Sequence, residues 1–417
     1  MQPSHSADAW GSVTIRHLPL KKQGRGLALE NGKPAAVSGS SVQVNQGTLR
    51  VLPYTEDLVA AVTEFNARIS RAGAPFLLPV RPVADWLPKV GDRRIYEEIF
   101  LVVQDGFVRG AYTLKRQEFS FAGRILPAGA CRMPISEAIA DRRYGLVGPK
   151  IIHDALRRMP LLYCLGIGSI EANISRMLRA MGWTWRVVPF FFKVLNGFRF
   201  LRNMEYLKNG LLSRLALDAA AYSGVGWLGA RTARLLLKAT TARCGLPLAQ
   251  EVSEFAAWTD EIWRACHGRY SMTAVRDADV LNILYPASDP RFIRLKVCAG
   301  SRAIGWAVLL DTVMSGSKYF GNMRVGSIVD CLALPEDAAR VMAAAANNLE
   351  HRGVDLLVSN QSHPAWCDGL KRAGFFVGPS NFFLLMSKQL SRLLSDLDPA
   401  FSGIHLNRGD GDGPIHL

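Results

Sequence analysis

Leu161-Leu162-Tyr163-Cys164-Leu165-Gly166 is followed by a helix-period run over 171–181 that closes on Arg179-Ala180-Met181-Gly182-Trp183. The same series returns as Val354–Ser359, a helical run over 364–373, and Arg372-Ala373-Gly374-Phe375. Each copy reads as an apolar strand, then a helix, then a glycine followed by an aromatic residue. A glycine just past the last periodic residue is a helix stop, because it enters the left-handed conformation without a Cβ clash. Arg179 and Arg372 lie about 190 residues apart, which is the scale of a duplicated domain and far beyond a solenoid repeat. A chain of 417 residues also exceeds what one ordinary core serves.

Working outward, the first copy begins with a short strand, Leu49–Leu52. A helix follows, with Thr55 as its cap and Leu58, Val59, Val62 and Phe65 on one face. Strands are expected over Glu98–Gln104, Val108–Glu118 and Ile125–Ile135, with turns at Gly106 and Gly123, so this part is an antiparallel meander. A helix over about 149–158 precedes the opening strand above, and a strand over Trp185–Lys193 closes the unit. The second copy predicts helices at 251–266 and 273–283. Strands follow at Phe292–Cys298, Ala303–Leu310 and Val325–Leu334, then a helix at 336–352, and a last strand near 380–387. The fold class is therefore α/β (α+β): two tandem domains, each a mixed, mostly antiparallel sheet flanked by helices. The expected boundaries are a disordered tail at 1–47, domain one at 48–192, a basic helical connector at 193–249, domain two at 250–390, and a tail at 391–417.

Composition narrows the class. A hydrophobic fraction of 49% with 20% charged residues describes a globular chain. No apolar run reaches eighteen residues, and no secretory leader is evident, so a cytoplasmic protein is expected. The seven cysteines are scattered and form no C-x-x-C, which fits buried thiols; neither they nor the eight histidines show metal-ligand spacing, and no metal is expected. The formal charge of +15 is concentrated: nine Lys and Arg residues fall between 193 and 243, against Glu205 and Asp218. Such a balance suits nucleic acid, anionic lipid or a polyphosphate ligand. The leucine stripes in this segment lie at near-helical spacing, so an anionic membrane surface at the inner face of the membrane is one candidate partner. No alternation of Arg with aromatic residues marks a single-strand platform, and nucleic acid is the weaker expectation.

The segment Arg142-Arg143-Tyr144-Gly145-Leu146-Val147-Gly148-Pro149-Lys150 stands between a strand and a helix. Glycines admit a ligand close to the backbone, and the first amides of a helix carry positive partial charge that favours an anion. Pro149 suits a first turn, and Arg142, Arg143 and Lys150 add charge. With the order of elements, this segment resembles the pyrophosphate loop of the GNAT N-acetyltransferase superfamily. Arg142 and Gly145 match that loop's pattern; Val147 stands where the family prefers Gly or Ala, and Gly148 comes one place late. The resemblance covers about 48–192 and, more weakly, 250–390. The tandem form is similar to mycothiol synthase and to FemAB-type aminoacyltransferases. It implies an acyltransferase that uses acetyl-CoA or another acyl-CoA as co-substrate. Arg142, Arg143, Gly145, Leu146, Val147, Gly148 and Lys150 would then form the donor loop, with Asn173 near the cofactor arm and Cys164 where two strands splay around the thioester.

In such enzymes the base is often a Glu at or just beyond the fourth strand. Ser136 and Glu137 stand there, and Glu137 is the candidate base; the same carboxylate also suits a turn residue paired with Arg142 or Arg143. The family's general acid, a Tyr, is replaced by Leu178, which leaves Tyr144 or Tyr163 as a substitute. The second copy carries Leu334-Pro335-Glu336-Asp337 in place of the glycine loop, and acids there would repel a pyrophosphate. That copy is therefore expected to serve the acceptor, with Asp330, Asn360 and His363 as candidate substrate-binding residues. The acceptor expected is a small amine, an amino sugar or a glycolipid or polysaccharide precursor. The alternatives are an aminoacyl-tRNA-dependent transferase, or a non-catalytic membrane- or nucleic-acid-binding module that has lost its cofactor site.

Overall fold

Pro189 decides where the first sheet ends. It has no N–H to give to a ladder, and the strand expected over Trp185–Lys193 breaks there into β6 (Thr184–Val187) and β7 (Phe190–Val194). The two pieces go to different sheets. The computed structural model describes residues 47–203, 248–317 and 319–411, and two sheets organise them.

The first sheet starts with β1 (Arg50–Pro53), β2 (Tyr96–Gln104), β3 (Phe107–Phe121) and β4 (Arg124–Ser136), an antiparallel meander as expected, followed by parallel β5 (Leu162–Ile167). Its two faces follow from strand alternation. On β2, Ile99, Leu101 and Val103 meet Val62, Phe65 and Ile69 of α1 (Val59–Arg71). Phe100 and Val102, one residue out of phase, meet Val147, Ile151, Ile152 and Ala155 of α2 (Val147–Arg158). A third helix, α3 (Asn173–Ala180), stops at Gly182 in a left-handed conformation, φ 81°.

After β7 comes α4 (Gly197–Asn203), and the described chain resumes with β8 (Leu248–Val252). The basic connector expected at 193–249, with its leucine stripes, lies outside the described residues from 204 to 247. The helix expected at 251–266 is shorter, α5 (Ala257–Cys266), and the one expected at 273–283 is preceded by a strand: β9 (Met272–Ala274), then α6 (Ala278–Leu284). The second sheet is built from β10 (Ile293–Ala299), β11 (Arg302–Val313), β12 (Arg324–Ala333) and parallel β13 (Leu356–Asn360), with β8 on its edge. Helices α7 (Ala338–His351) and α8 (Pro364–Arg372) complete its core, in which Trp306 and Trp366 are fully buried.

The expected self-contained domains are corrected by a reciprocal exchange. β7, from the first half, lies between β13 and β14 (Phe376–Gly378) of the second sheet. β15 (Phe383–Met386), from the second half, lies between β5 and β6 of the first. β15 is apolar on both faces, as a central strand must be: Leu384 and Met386 enter one core and Leu385 another. β9 adds a further link, pairing with β3 at Phe119 and Ser120.

The expected tail after 391 is also corrected. Helix α9 (Lys388–Leu397) buries Leu390 and Leu394, and β16 (Ile404–His405) pairs with β9. Residues 404–407 and 409–411 are buried between the two sheets. The Gly- and Asp-rich composition reads as a tail because its partners are polar groups far away in sequence.

Because each sheet needs a strand from the other half, fragments 1–203 and 204–417 should each be insoluble or fail to melt cooperatively when produced alone. Co-production should return a soluble complex. A monomeric 1–203 with a cooperative thermal transition would overturn the structural weight placed on β15.

Candidate active site

The first unit opens where β4 and β5 part. They pair only at Gly129–Leu162 and Ala130–Tyr163, and then diverge. Just beyond that fork β4 carries a bulge: Arg132 faces Thr113 and Ile135 faces Ala111, which leaves Met133 and Pro134 without partners on β3. Met133 sits at φ 47°, a conformation uncommon outside glycine. Bulges re-aim backbone groups and gather beside active sites. Pro134, a proline inside a central strand, is the residue that signals this bulge in the sequence; the sequence reading passed over it.

Helix α2 is held beside the fork by Asp154, which is buried and accepts from Tyr112 Oη at 2.7 Å, Arg157 at 2.7 Å and Arg158 at 2.7 Å. Burial alone would raise this carboxyl, but the bonds from Arg158 and Tyr112 outweigh it and hold the group below its usual range. Two one-turn 3-10 helices, Glu137–Ile139 and Arg142–Tyr144, lie between β4 and α2, so the helix starts at Val147 rather than 149. Leu146 at the N-cap offers no side-chain acceptor to the first amides.

A cavity of about 310 Å³ lies against this helix start, lined by Gly47, Thr48, Leu49, Gln104, Arg143, Tyr144, Leu146, Val147 and Lys150. Five of the expected donor-loop and catalytic residues thus meet: Arg143, Tyr144, Leu146, Val147 and Lys150. Arg142 and Gly145 are exposed and off this lining. Gly145 is helical at φ −56°, so its backbone does not require glycine. Gly148 is half-buried, with Met177 Sδ only 3.2 Å from where a Cβ would stand. Asn173 is exposed at the start of α3 and accepts from Arg176 at 2.6 Å, away from the cavity.

Glu137 is placed as an anchor. It is buried; Oε1 accepts from Arg68 Nε at 2.7 Å and Oε2 from Arg109 at 2.9 Å. Both oxygens are committed to guanidinium groups, a pairing that competes with the expected role of a base. Its partners come from α1 and β3, not from Arg142 or Arg143. Ser136 caps the following turn, accepting from Ala138 N at 3.2 Å. Arg109 in turn lies 4.4 Å over the Tyr144 ring, so the anchor steadies one wall of the cavity.

The second unit's candidates point inward. Asp330 is buried and accepts from Arg276 (2.7 Å), Tyr285 Oη (2.7 Å), Asn407 Nδ2 (2.8 Å) and its neighbour Cys331 N (2.9 Å). Arg276 also reaches Asp410 at 2.5 Å, Lys115 Nζ donates to Gly409 O at 3.0 Å, and Tyr163 Oη donates to Asp410 O at 2.8 Å. Burial raises the Asp410 carboxyl, with Arg276 opposing. Gly409 is required by close approach: an added Cβ would stand 2.3 Å from Tyr285 Oη and 2.7 Å from Asp330 Oδ2. Asn360 is buried against Pro189 O, 3.3 Å away. His363 caps α8, its Nδ1 accepting from Ala365 N at 3.2 Å. Asp330, Asn360 and His363 thus all have partners within the protein.

His405 stacks between Tyr270 (4.8 Å) and Trp366 (5.1 Å) and donates from Nε2 to Cys331 O at 2.9 Å. Burial pushes the imidazoles of both His405 and His363 down to about 4. The six described cysteines are all buried.

No protein-family model and no curated protein matches this sequence. Solved structures do show similarity. A GCN5-related N-acetyltransferase from Kribbella flavida is 15% identical, with 82% of this chain and 71% of that one covered at a TM-score of 0.46. Saccharomyces cerevisiae N-myristoyltransferase with bound myristoyl-CoA is 11% identical, covering 81% and 79% at 0.45. A probable N-acyltransferase from Enterococcus faecalis V583 is 10% identical, covering 81% and 72% at 0.43.

Two outcomes follow from this geometry. Glu137→Gln should lower stability by about 3 kcal/mol, the cost of unpairing a buried ion pair, seen as a fall in Tm; a large loss of turnover at unchanged Tm would restore Glu137 as a base. For His363 and His405 the folded pKa lies below the unfolded value near 6.5, so their stabilisation is complete above about pH 6.5 and is lost as pH falls toward 4. Unfolding free energy should drop by up to about 1.4 kcal/mol per pH unit per histidine in that window. The slope should flatten in His405→Gln; an unchanged slope would assign the effect to carboxylates.

Proposed function

We propose that this chain is an acyltransferase that takes an acyl group from a coenzyme A thioester in the first unit and passes it to an amine or hydroxyl. The observation that carries this reading is the parting of β4 and β5 with the Met133 bulge just past it, together with a cavity at the start of α2 whose walls include Arg143 and Lys150 on one side and Gly47–Leu49 and Gln104 on the other. A fork of parted strands exposes peptide groups that an amide-containing ligand arm can pair. The α2 amides, Lys150 and Arg143 suit the phosphates of the same ligand. In the reaction the acceptor nitrogen or oxygen attacks the thioester carbonyl, the C–S bond breaks, and the thiolate leaves and is protonated. Of the two bulged residues only Met133 has a main-chain N–H, and that donor is suited to the oxyanion. With Glu137 committed to Arg68 and Arg109, the acceptor's proton leaves by another route. A small amine, an amino sugar or a glycolipid or polysaccharide precursor remains the acceptor class proposed.

Isothermal titration with coenzyme A and acetyl-CoA is the test. Wild type should bind, and Arg143→Glu/Lys150→Glu should weaken binding at least about tenfold, since one charge-assisted bond is worth about 1.5–3 kcal/mol. Equal affinity in the two proteins would remove this cavity from the donor site. Binding of charged tRNA in place of coenzyme A would favour the aminoacyl-tRNA alternative.

A further inference from the structure

The duplicated fold has two forks, and the second is occupied by the chain itself. β12 and β13 pair from Val325–Leu356 to Ile328–Ser359 and then part. β12 is bulged there as well: Val308 faces Asp330 and Leu309 faces Ile328, which leaves Val329 extra. Residues 405–408 enter between the parted edges. On the β12 side, His405 donates to Cys331 O (2.9 Å) and Asn407 to Asp330 (2.8 Å). On the β13 side, Asn407 bridges Gln361, Ser362 N donates to Leu406 O (3.1 Å), and Leu406 N donates to Ser362 Oγ (2.8 Å). Buried peptide groups need partners, and this segment supplies them in the second fork. The helix start beyond that fork carries Glu336 and Asp337, the wrong sign for phosphates. The first fork is treated differently. The segment reaches its edge with Asp410 O, on Tyr163, and with Gly411, beside Leu165.

We infer that residues 405–408 are a permanent internal occupant of the second fork, so that the chain takes one coenzyme A-type donor and not two. The inference rests on the donor reading for the first fork. Two measurements on the full chain test it. In hydrogen exchange read by mass spectrometry, peptides covering 361–363 and 404–408 should be as slow as β12, with or without saturating coenzyme A; rapid exchange there would overturn the inference. In native mass spectrometry with coenzyme A, wild type should carry one equivalent, and Arg143→Glu/Lys150→Glu should carry none at the same concentration. Two equivalents, or a full equivalent retained by the variant, would overturn the single-donor inference while sparing acyl transfer. No binding by wild type would sink the donor reading itself, and the one-donor inference with it.

Discussion

The guanidinium of Arg276 lies between the carboxylates of Asp330 and Asp410, with all three groups buried. Such an arrangement survives away from water only if its polar atoms find partners, because desolvating each ion costs several kcal/mol. Here every side-chain nitrogen and oxygen of the three groups has one. Tyr285 and Asn407 complete Asp330, the Asn407 backbone completes Asp410 at 2.9 Å, and Val275 O takes a third bond from Arg276. Both acids outweigh the burial of the guanidinium and raise its affinity for the proton. The cluster draws its members from β12, from the chain before α6 and from the carboxy-terminal segment. Lys115 and Tyr163 extend it to the first sheet. A polar cluster of this kind makes placement specific, since a slipped segment would strand charge in the interior.

The strand exchange supplies the apolar counterpart. β7 and β15 each complete the other half's sheet, so the two units share cores as well as a border. Phe191 on β7 packs in the main core of the second unit, and Leu385 on β15 packs beside Leu162 and Cys164 of the first. The cluster bridges the gap between the sheets and the exchanged strands hold the flanks of the fork at Ala130–Tyr163.

Much of the fold was legible in sequence because it is local. The meander turns at Gly106 and Gly123, the helix stops at Gly182 and Gly374, and the repeated strand–helix block all depend on residues a few positions apart. The exchange was not legible. Phe190–Val194 and Phe383–Met386 are apolar strands under any topology, and nothing in them names the sheet they join; only Pro189 hints at the break. The residues of the cationic helix start, Arg143, Val147 and Lys150, are near neighbours in sequence and so were legible as a group; they line one cavity. The internal partners of Glu137, Asp330 and His363 were not legible for one physical reason. A carboxylate or imidazole is read as reactive from its type, whereas its availability depends on partners such as Arg68, Arg276 and Tyr270, which lie 54 to 93 positions away in sequence. The carboxy-terminal segment was misread likewise, since Gly409 is small to admit Tyr285 and Asp330, not to be flexible.

The two halves keep the same scaffold and differ where ligand chemistry is decided. Both carry a bulge on the strand before the fork, at Met133 and at Val329. After it, one half has Arg143 and Lys150 around an uncapped helix start, and the other has Glu336 and Asp337. One fork pairs with its neighbour at two positions and the other at four before a stretch of the same chain fills it. A bulge in a fork leaves backbone groups that something must satisfy. In the second half residues 405–408 of the chain supply partners on both edges and help hold the two sheets together. In the first half the same segment reaches the β5 side, through Asp410 O on Tyr163 and Gly411 beside Leu165.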